Sequence, residues 1–335
     1  MKKEYKAQHY TFKALATACL MAAFVLGAQA QQVEEFALVR ENAFVLNPAM
    51  AGTNGWIHGT ATFRKQFTQL DQSPYTAMLA MDGQIFGKNI GVGGYLIHDQ
   101  TGPTGKSGIT VSAAYNLKIF GKHEARASNG TSKHNLSFGL AISAVQYRLR
   151  GDQLDVNDAN DPGLYTSKGN KIFPDLSIGI YYRYKKNFYF GVSSPQLMGL
   201  NVNYRGDDGL ATIRKVQHLN VLIGGSIPFA KGKFSLDPVA ALRWVKNAPP
   251  QGDIGLRFNM LHRIFFIGAN YRSINYAVVE AGFRWKEVFS LAYAYQHNVT
   301  KYTRDIGGTH EVSLSFDIAR KQNIPVAKQL FNPRF

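Results

Sequence analysis

The sequence predicts an all-β fold, a transmembrane antiparallel β-barrel of roughly fourteen strands, on three observations. The first is the pattern of the closing hairpin, Val288 to Asn298 turning back through Thr309 to Ile318. Phe289, Leu291, Tyr293 and Tyr295 fall on one face of its first strand and Ser290, Ala292, Ala294 and Gln296 on the other; in the second strand Val312, Leu314 and Phe316 oppose Glu311, Ser313, Ser315 and Asp317. A soluble sandwich also alternates, but its wet face is an outer surface and is rarely filled with Ser, Ala and Gly. Small polar side chains suit the crowded, hydrated inside of a closed barrel, with aromatic and branched residues facing lipid. Second, beyond the first thirty residues no apolar run approaches the ~18 residues that a membrane helix needs, and the mean hydropathy is −0.19. Third, aromatics make up 13% of the chain, with 17 Tyr and 22 Phe, which fits an aromatic girdle at each membrane interface. Together these place the chain in an outer membrane.

The elements follow in order. Residues 1–30 have the form of a secretion signal: Lys2, Lys3, Lys6 and Lys13 make a basic start, Ala14 to Gly27 is an apolar run too short to span, and Ala28-Gln29-Ala30 supplies small residues for cleavage. Cys19, the single cysteine, lies inside this segment, so the mature chain is expected to carry no disulfide and no thiolate metal site. Residues 31–55 are expected to form a plug or periplasmic cap, with a short amphipathic helix over Gln32 to Phe44 that breaks at Asn47-Pro48, because the residue before proline is pushed out of the helical region.

The barrel is expected over residues 56–318. Its strands are Trp56–Arg64, Tyr75–Asp82, Ile90–His98, Ser107–Ile119, Asn135–Leu149, Asp175–Tyr184, Asn187–Ser194, Gln217–Phe229, Phe234–Val245, Gly252–Met260, Ile264–Tyr271 and Tyr276–Trp285, followed by the closing pair. Connections after Tyr184, Phe229, Met260 and Trp285 are tight, whereas those after Leu149, Ser194 and Asn298 are long. Short turns on one side and long loops on the outward side are the barrel habit. Residues 319–335 form a basic tail with Pro325 and Pro333 and no strand pattern, a dangling or plug-like end.

Formal charge is +16. The signal's four lysines and Glu4 account for +3 of it, leaving +13. No basic helix or clustered stripe is present, so nucleic acid is not the expected partner. The excess suits lipopolysaccharide phosphates and the outer-membrane lipid, an acidic protein, or anions in a lumen, and the sequence leaves these three open.

An ordered set of landmarks runs through the mature chain. It comprises Asn47-Pro48-Ala49-Met50-Ala51-Gly52, Arg64-Lys65-Gln66-Phe67, Pro74 with Thr76, Gly91-Val92-Gly93-Gly94 followed by Asp99 and Gly102, then Asp161-Pro162, Pro174-Asp175, Phe190-Gly191, Pro238, Arg243, Gln251 with Asp253 and Gly255, Tyr271-Arg272, and Gly308-Thr309-His310-Glu311. In this order they resemble the PorP/SprF family of Bacteroidota outer-membrane proteins of the type IX secretion and gliding-motility apparatus. The departures are modest: the family more often has Trp or Phe after the Arg-x-Gln and commonly an aromatic inside the NPA segment, where this chain has Phe67 and Met50. The resemblance implies a FadL-like barrel that works with secreted surface proteins bearing a C-terminal type IX sorting domain, of the type B class, and with other type IX or periplasmic, peptidoglycan-linked components. The alternative from another class is a FadL-like passive transporter of a hydrophobic or anionic small molecule.

Motifs suggestive of chemistry are few. Thr104-Gly105-Lys106-Ser107 ends like a phosphate loop, but that motif needs Gly where Gln100 stands and a helix after it, so a hairpin turn is expected. Arg150-Gly151-Asp152 and Arg205-Gly206-Asp207 are ordinary turn chemistry. Asp152, Asp155, Asp158 and Asp161 form a dense set of hard oxygen ligands that calcium would suit, without EF-hand spacing; no other metal site is indicated. None of the nine histidines sits in HExxH or a Cys/His array, and GxSxG is absent, so no enzyme and no cofactor is expected. Inward-facing charge is more informative. Alternation puts Asp253 and Arg257 on one face of their strand, Glu280 and Arg284 on another, and Glu311 and Asp317 on the closing strand. With Arg64 and the plug residues Asn47, Pro48 and Gly52, they are the expected lumen network, since charge inside a barrel is tolerated when hydrated or paired.

Overall fold

The computed structural model describes residues 35–318 apart from 54–56, 86–88, 120–133, 151–170, 186, 200, 206–209, 215–216, 246–247, 274–275, 287 and 300–305. The four aspartates considered for calcium, the first thirty residues and the tail after Ile318 lie outside this set.

Strict alternation produces the wall. On Thr309–Ile318 the side chains of Val312, Leu314, Phe316 and Ile318 are exposed on the outer face, while Glu311, Ser313, Ser315 and Asp317 are buried. The strands are β1 (Ile57–Lys65), β2 (Tyr75–Gln84), β3 (Ile90–Thr101), β4 (Thr104–Ile119), β5 (His134–Leu149), β6 (Lys171–Tyr184), β7 (Phe188–Ser194), β8 (Asn201–Arg205), β9 (Leu210–Arg214), β10 (His218–Gly225), β11 (Ile227–Phe229), β12 (Phe234–Val245), β13 (Gln251–Met260), β14 (Phe265–Arg272), β15 (Tyr276–Trp285), β16 (Phe289–Asn298) and β17 (Thr309–Ile318). Each pairs antiparallel with its neighbour, β10 takes the place beside β7 and β12, and β11 continues β10 past Ser226. β1 closes on β17, from Ile57 opposite Ile318 to Lys65 opposite His310. With β8 and β9 set apart as a separate hairpin and β11 counted with β10, the ring has fourteen strands.

Inside the seam, hydroxyls replace bulk. Thr60 meets Ser315 at 3.2 Å and Thr62 meets Ser313 at 3.0 Å, cross-strand pairs that bind β1 to β17. His58 bridges Asp317 and Thr60 at 2.8 Å on each side. At the short-turn end, Phe229, Phe234 and Phe258 stack in one group; at the other end Tyr295 packs on His310 and Tyr75 on Phe63. These are the interfacial belts that amphipathic rings favour.

Several expectations are corrected. In place of a helix over Gln32 to Phe44, the described part of that segment is a chain of turns ending in a helix of four residues, Ala43–Leu46, and a 3-10 turn, Pro48–Met50. Its polar groups find partners on the wall, so it does not need a helix to satisfy them. β6 starts at Lys171, so Pro174 lies inside a strand. It is tolerated because β7 reaches β6 only from Ile178 onward, and a proline is allowed where no ladder bond is due. β3 and β4 extend to Thr101 and Thr104, beyond the expected ends at His98 and Ser107, and the expected hairpin turn runs through Gly102, φ +53°. The β8–β9 hairpin stands within a connection read as loop, and its first strand ends at Arg205 of the second Arg-Gly-Asp triplet. Connection lengths do not alternate strictly: Thr101 to Thr104 is tight at the end where most are long, and Ile119 to His134 is long at the end where most are tight.

Candidate functional site

The lumen is occupied by the chain's own residues 35–53. Phe36 to Phe44 and Asn47 to Ala51 are buried, and this plug supplies part of each of three apolar clusters. Phe36, Phe44 and Ala51 pack with Met78, Ala80, Ile97 and Ala114; Ala37 and Leu38 with Phe266, Val278, Ala292 and Ala294; Val39, Ala43, Ala49 and Met50 with Tyr181, Tyr189, Leu222, Val239 and Ala241. The plug runs from Glu35, bonded to Arg272 at the last residue of β14, to Gly52, bonded to Asp82 near the β2–β3 turn. It thus crosses the lumen from the long-connection end toward the short-turn end.

One side of the wall holds the plug by charge. Glu311, fully buried, accepts the backbone N–H groups of Ala37 at 2.7 Å and Leu38 at 3.0 Å, one on each carboxylate oxygen. Asn42 donates to Leu38 O and accepts from Thr62 Oγ1 at 2.8 Å. Arg257, also fully buried, donates to Glu280 Oε1 at 2.8 Å and to Glu41 of the plug at 2.7 Å, with its guanidinium 3.9 Å from the centre of the Phe266 ring. Arg40 of the plug reaches the same Glu280 oxygen at 3.1 Å and the carbonyl of Asp237. Asp253 accepts from Arg243 at 3.0 Å and from Arg272 at 2.9 and 3.0 Å, and Arg272 also donates to Glu35 and to Phe36 O. Removing charges from water is costly, and only dense mutual pairing of this kind offsets it.

The opposite side holds the plug by having no side chains. A Cβ added at Gly139 would stand 2.2 Å from Ala49 N, one at Gly179 2.0 Å from Asn47 Oδ1, one at Gly91 1.9 Å from Ala51 O, and one at Gly93 2.7 Å from Phe44 Cζ. Glycine is what permits such close backbone approach. Into this groove Asn47 donates to Ile180 O at 3.0 Å while its Oδ1 accepts Ala49 N–H at 2.9 Å, capping the 3-10 turn in which Pro48 is the first residue. Ser193 donates to Leu46 O, and Arg183 to Thr53 O. Gly52, φ +62°, ends the groove against Gly83 and Gly91.

The residues singled out from sequence fall as follows. Asp253 and Arg257 share the inward face but belong to different ion pairs. Glu280 joins Arg257 and Arg40, whereas Arg284, half-buried, lies two inward positions nearer the short turn, opposite Ser290. Arg64 donates to Gln296 at 3.3 Å and lies 4.0 Å from Glu311. The sequence reading did not single out Glu35, Arg40, Glu41, Asp237, Arg243 or Arg272 as partners, nor the glycine groove. Among the described residues no group of three or more His, Cys, Asp or Glu is placed to hold a metal, and no helix is long and apolar enough to cross a membrane.

Above the plug lies a hollow of about 630 Å³, part of it open to solvent, floored by Phe36, Val45 and Leu46 and walled by Tyr95, Lys106 and Asp175 among others. Past the end of β7 the chain stays against β6, with Leu197 N–H donating to Leu176 O at 2.9 Å.

A family description, Type IX secretion system membrane protein PorP/SprF, matches residues 28–316. No curated protein matches the chain. Among solved structures, the CymD monoaromatic hydrocarbon channel is similar at 11% identity over 84% of this chain and 94% of that one, TM-score 0.43. The P. putida toluene transporter TodX gives 9%, 84%, 94% and 0.42, and the KdgM porin 10%, 78%, 99% and 0.38. Likeness at this level says nothing of what this chain binds or passes.

Proposed function

Because the chain belongs to the PorP/SprF family of type IX secretion membrane proteins and forms a closed fourteen-strand outer-membrane barrel, we propose that it works as a non-enzymatic docking component, one that binds, exports or anchors surface proteins carrying a C-terminal type B sorting domain. The observation that carries this reading is the filled lumen. The plug is held by ion pairs on one side and a glycine groove on the other, so the barrel is sealed and its working surfaces are its rim and long connections. A sealed barrel can hold a partner without leaking the periplasm, and strand edges or loops are the recognition modes available to it. Other type IX or peptidoglycan-linked components would meet the opposite end.

The test is a mild-detergent pull-down of tagged protein from the native outer membrane, with single-channel conductance of the purified barrel. A retained surface protein bearing the sorting domain, together with no conductance, is the expected result; a clean monomer that conducts overturns it. The hollow above the plug, with an apolar floor, favours the second reading, passive transport of a hydrophobic or anionic small molecule. Uptake that persists with the plug locked in place would decide for it.

A further inference from the structure

The two ends of the barrel differ in charge. Connections at the short-turn end, from the β2–β3 turn round to the β15–β16 turn, contain ten Lys or Arg against two Glu. Those at the long-connection end, the β8–β9 hairpin included, contain eight against eight. In the lumen, arginines 40, 243, 257 and 272 are matched by buried carboxylates. Of the +13 of the mature chain, the short-turn connections carry +8, at the rim that the barrel rule assigns to the periplasm, and the long-connection end carries none.

Two further observations say what this rim faces. Lys185, Lys233 and Lys286 are exposed, and each holds its ammonium beside the aromatic ring next to it in sequence: 5.2 Å from the centre of Tyr184, 5.6 Å from Phe234 and 6.0 Å from Trp285. Trp285 is 61% exposed on the lipid face. The charges thus sit on the circumference at headgroup height instead of over the mouth, as interfacial lysines do. Moreover, among the described residues five of the nine non-glycine residues at positive φ are basic, and all five lie in these turns: Lys185, Lys231, His262, Arg263 and Lys286. Glycine or asparagine would occupy such positions with less strain. A strained backbone kept under a lysine points to a use for the lysine.

We propose that the short-turn rim is a binding ring for anionic phospholipids, in which lysines held beside interfacial aromatics engage the headgroup phosphates of the adjoining leaflet. An ammonium is a compact point charge suited to this, whereas the fork of arginine is used in the lumen.

The test reconstitutes the full chain in nanodiscs of equal phosphatidylglycerol and phosphatidylcholine, releases it into detergent, and weighs the retained lipid by native mass spectrometry. The diagnostic variant carries Lys185→Asn, Lys231→Asn, Lys286→Asn and Lys233→Gln; asparagine suits positive φ, so the barrel folds at least as well, which heat-modifiable gel mobility checks. One or two lysines per headgroup should give the wild type about fivefold to thirtyfold preference for phosphatidylglycerol, falling toward one in the variant and with added salt. A reference variant changing Arg150, Lys246, Lys301 and Arg304 to Gln at the other end should keep it. Equal loss in both variants, or none in the first, overturns the proposal. So does an acidic periplasmic protein that binds the wild type and not the first variant while lipid retention is unchanged, which would give the ring to a protein partner.

Discussion

Along β12 to β17 and on to β1 the lumen wall holds the plug with charge, whereas along β3 to β7 it holds it with the absence of side chains. The charged arc is built from Arg257, Glu280, Asp253, Arg272 and Glu311, whose long side chains reach across a gap and can adjust by rotamer. The glycine arc has no such slack: at Gly139, Gly179 and Gly91 the plug lies where a methyl group would be. One arc specifies its partner by chemistry, the other by shape. They should therefore fail differently, abruptly where backbone meets backbone and by degrees where a network can lose one member.

The largest effect is expected from Gly139→Val. Its Cβ would stand 2.2 Å from a plug backbone nitrogen, which cannot rotate away. Overpacking of this kind costs about 3 kcal/mol or more, and the plug should be unseated. Single-channel recording is expected to show conductance absent from the wild type, with a lower urea midpoint. Gly252→Ala, where the nearest atom is 4.0 Å away, serves as the neutral reference. A silent, stable Gly139→Val barrel would remove the distinction between the arcs.

Next comes Arg257→Met. It leaves Glu41 and Glu280 buried without their shared cation, and breaking one member of a buried pair costs about 3–5 kcal/mol. Adding Glu41→Gln should restore much of the loss, because the stranded carboxylate goes with it while Glu280 keeps Arg40. Recovery in urea unfolding of the double variant is the check; a double variant no better than the single would mean that the guanidinium acts by packing on Phe266 alone.

Asn47→Ala is smaller. It removes the bond to Ile180 O and the cap on Ala49 N–H, for about 1–2 kcal/mol. It should lower the unfolding midpoint without opening the barrel, since the glycine groove still fits the shortened side chain.

How far each arc could be foreseen also differs. Alternation on Phe289–Asn298 and Thr309–Ile318 was enough to place Glu311 and Asp317 inward and to count the fourteen strands, because a period of two is a local property. The partners were not legible. Arg257 meets Glu41 across 216 residues, and only the closed register of the barrel and the path of the plug bring them together. Arg272, at a strand end, carried no alternation signal strong enough to separate rim from lumen. The glycines were visible as residues but not as a groove: a glycine within a strand signals weakness or a bulge until something is seen approaching it. The expected helix over Gln32 to Phe44 failed for a related reason. Its apolar positions serve three separate wall clusters instead of one helical face, and the N–H groups of Ala37 and Leu38 are taken by Glu311.

The smallest effect is expected at the rim of the charged arc, where Glu35 meets Arg272 at 2.8 Å with its side chain 11% exposed. Glu35→Gln removes one of the interactions of Arg272, but both bonds to Asp253 and the one to Phe36 O remain, so no cation is stranded. Near solvent such a pair contributes about 0.5–1 kcal/mol and less in salt. A double-mutant cycle with Arg272→Gln should give a coupling of that size at low ionic strength, falling as salt is added. Coupling that is several times larger and indifferent to salt would place this pair with Arg257 and Glu41 in the sealed interior, and would extend the charged grip to the mouth of the barrel.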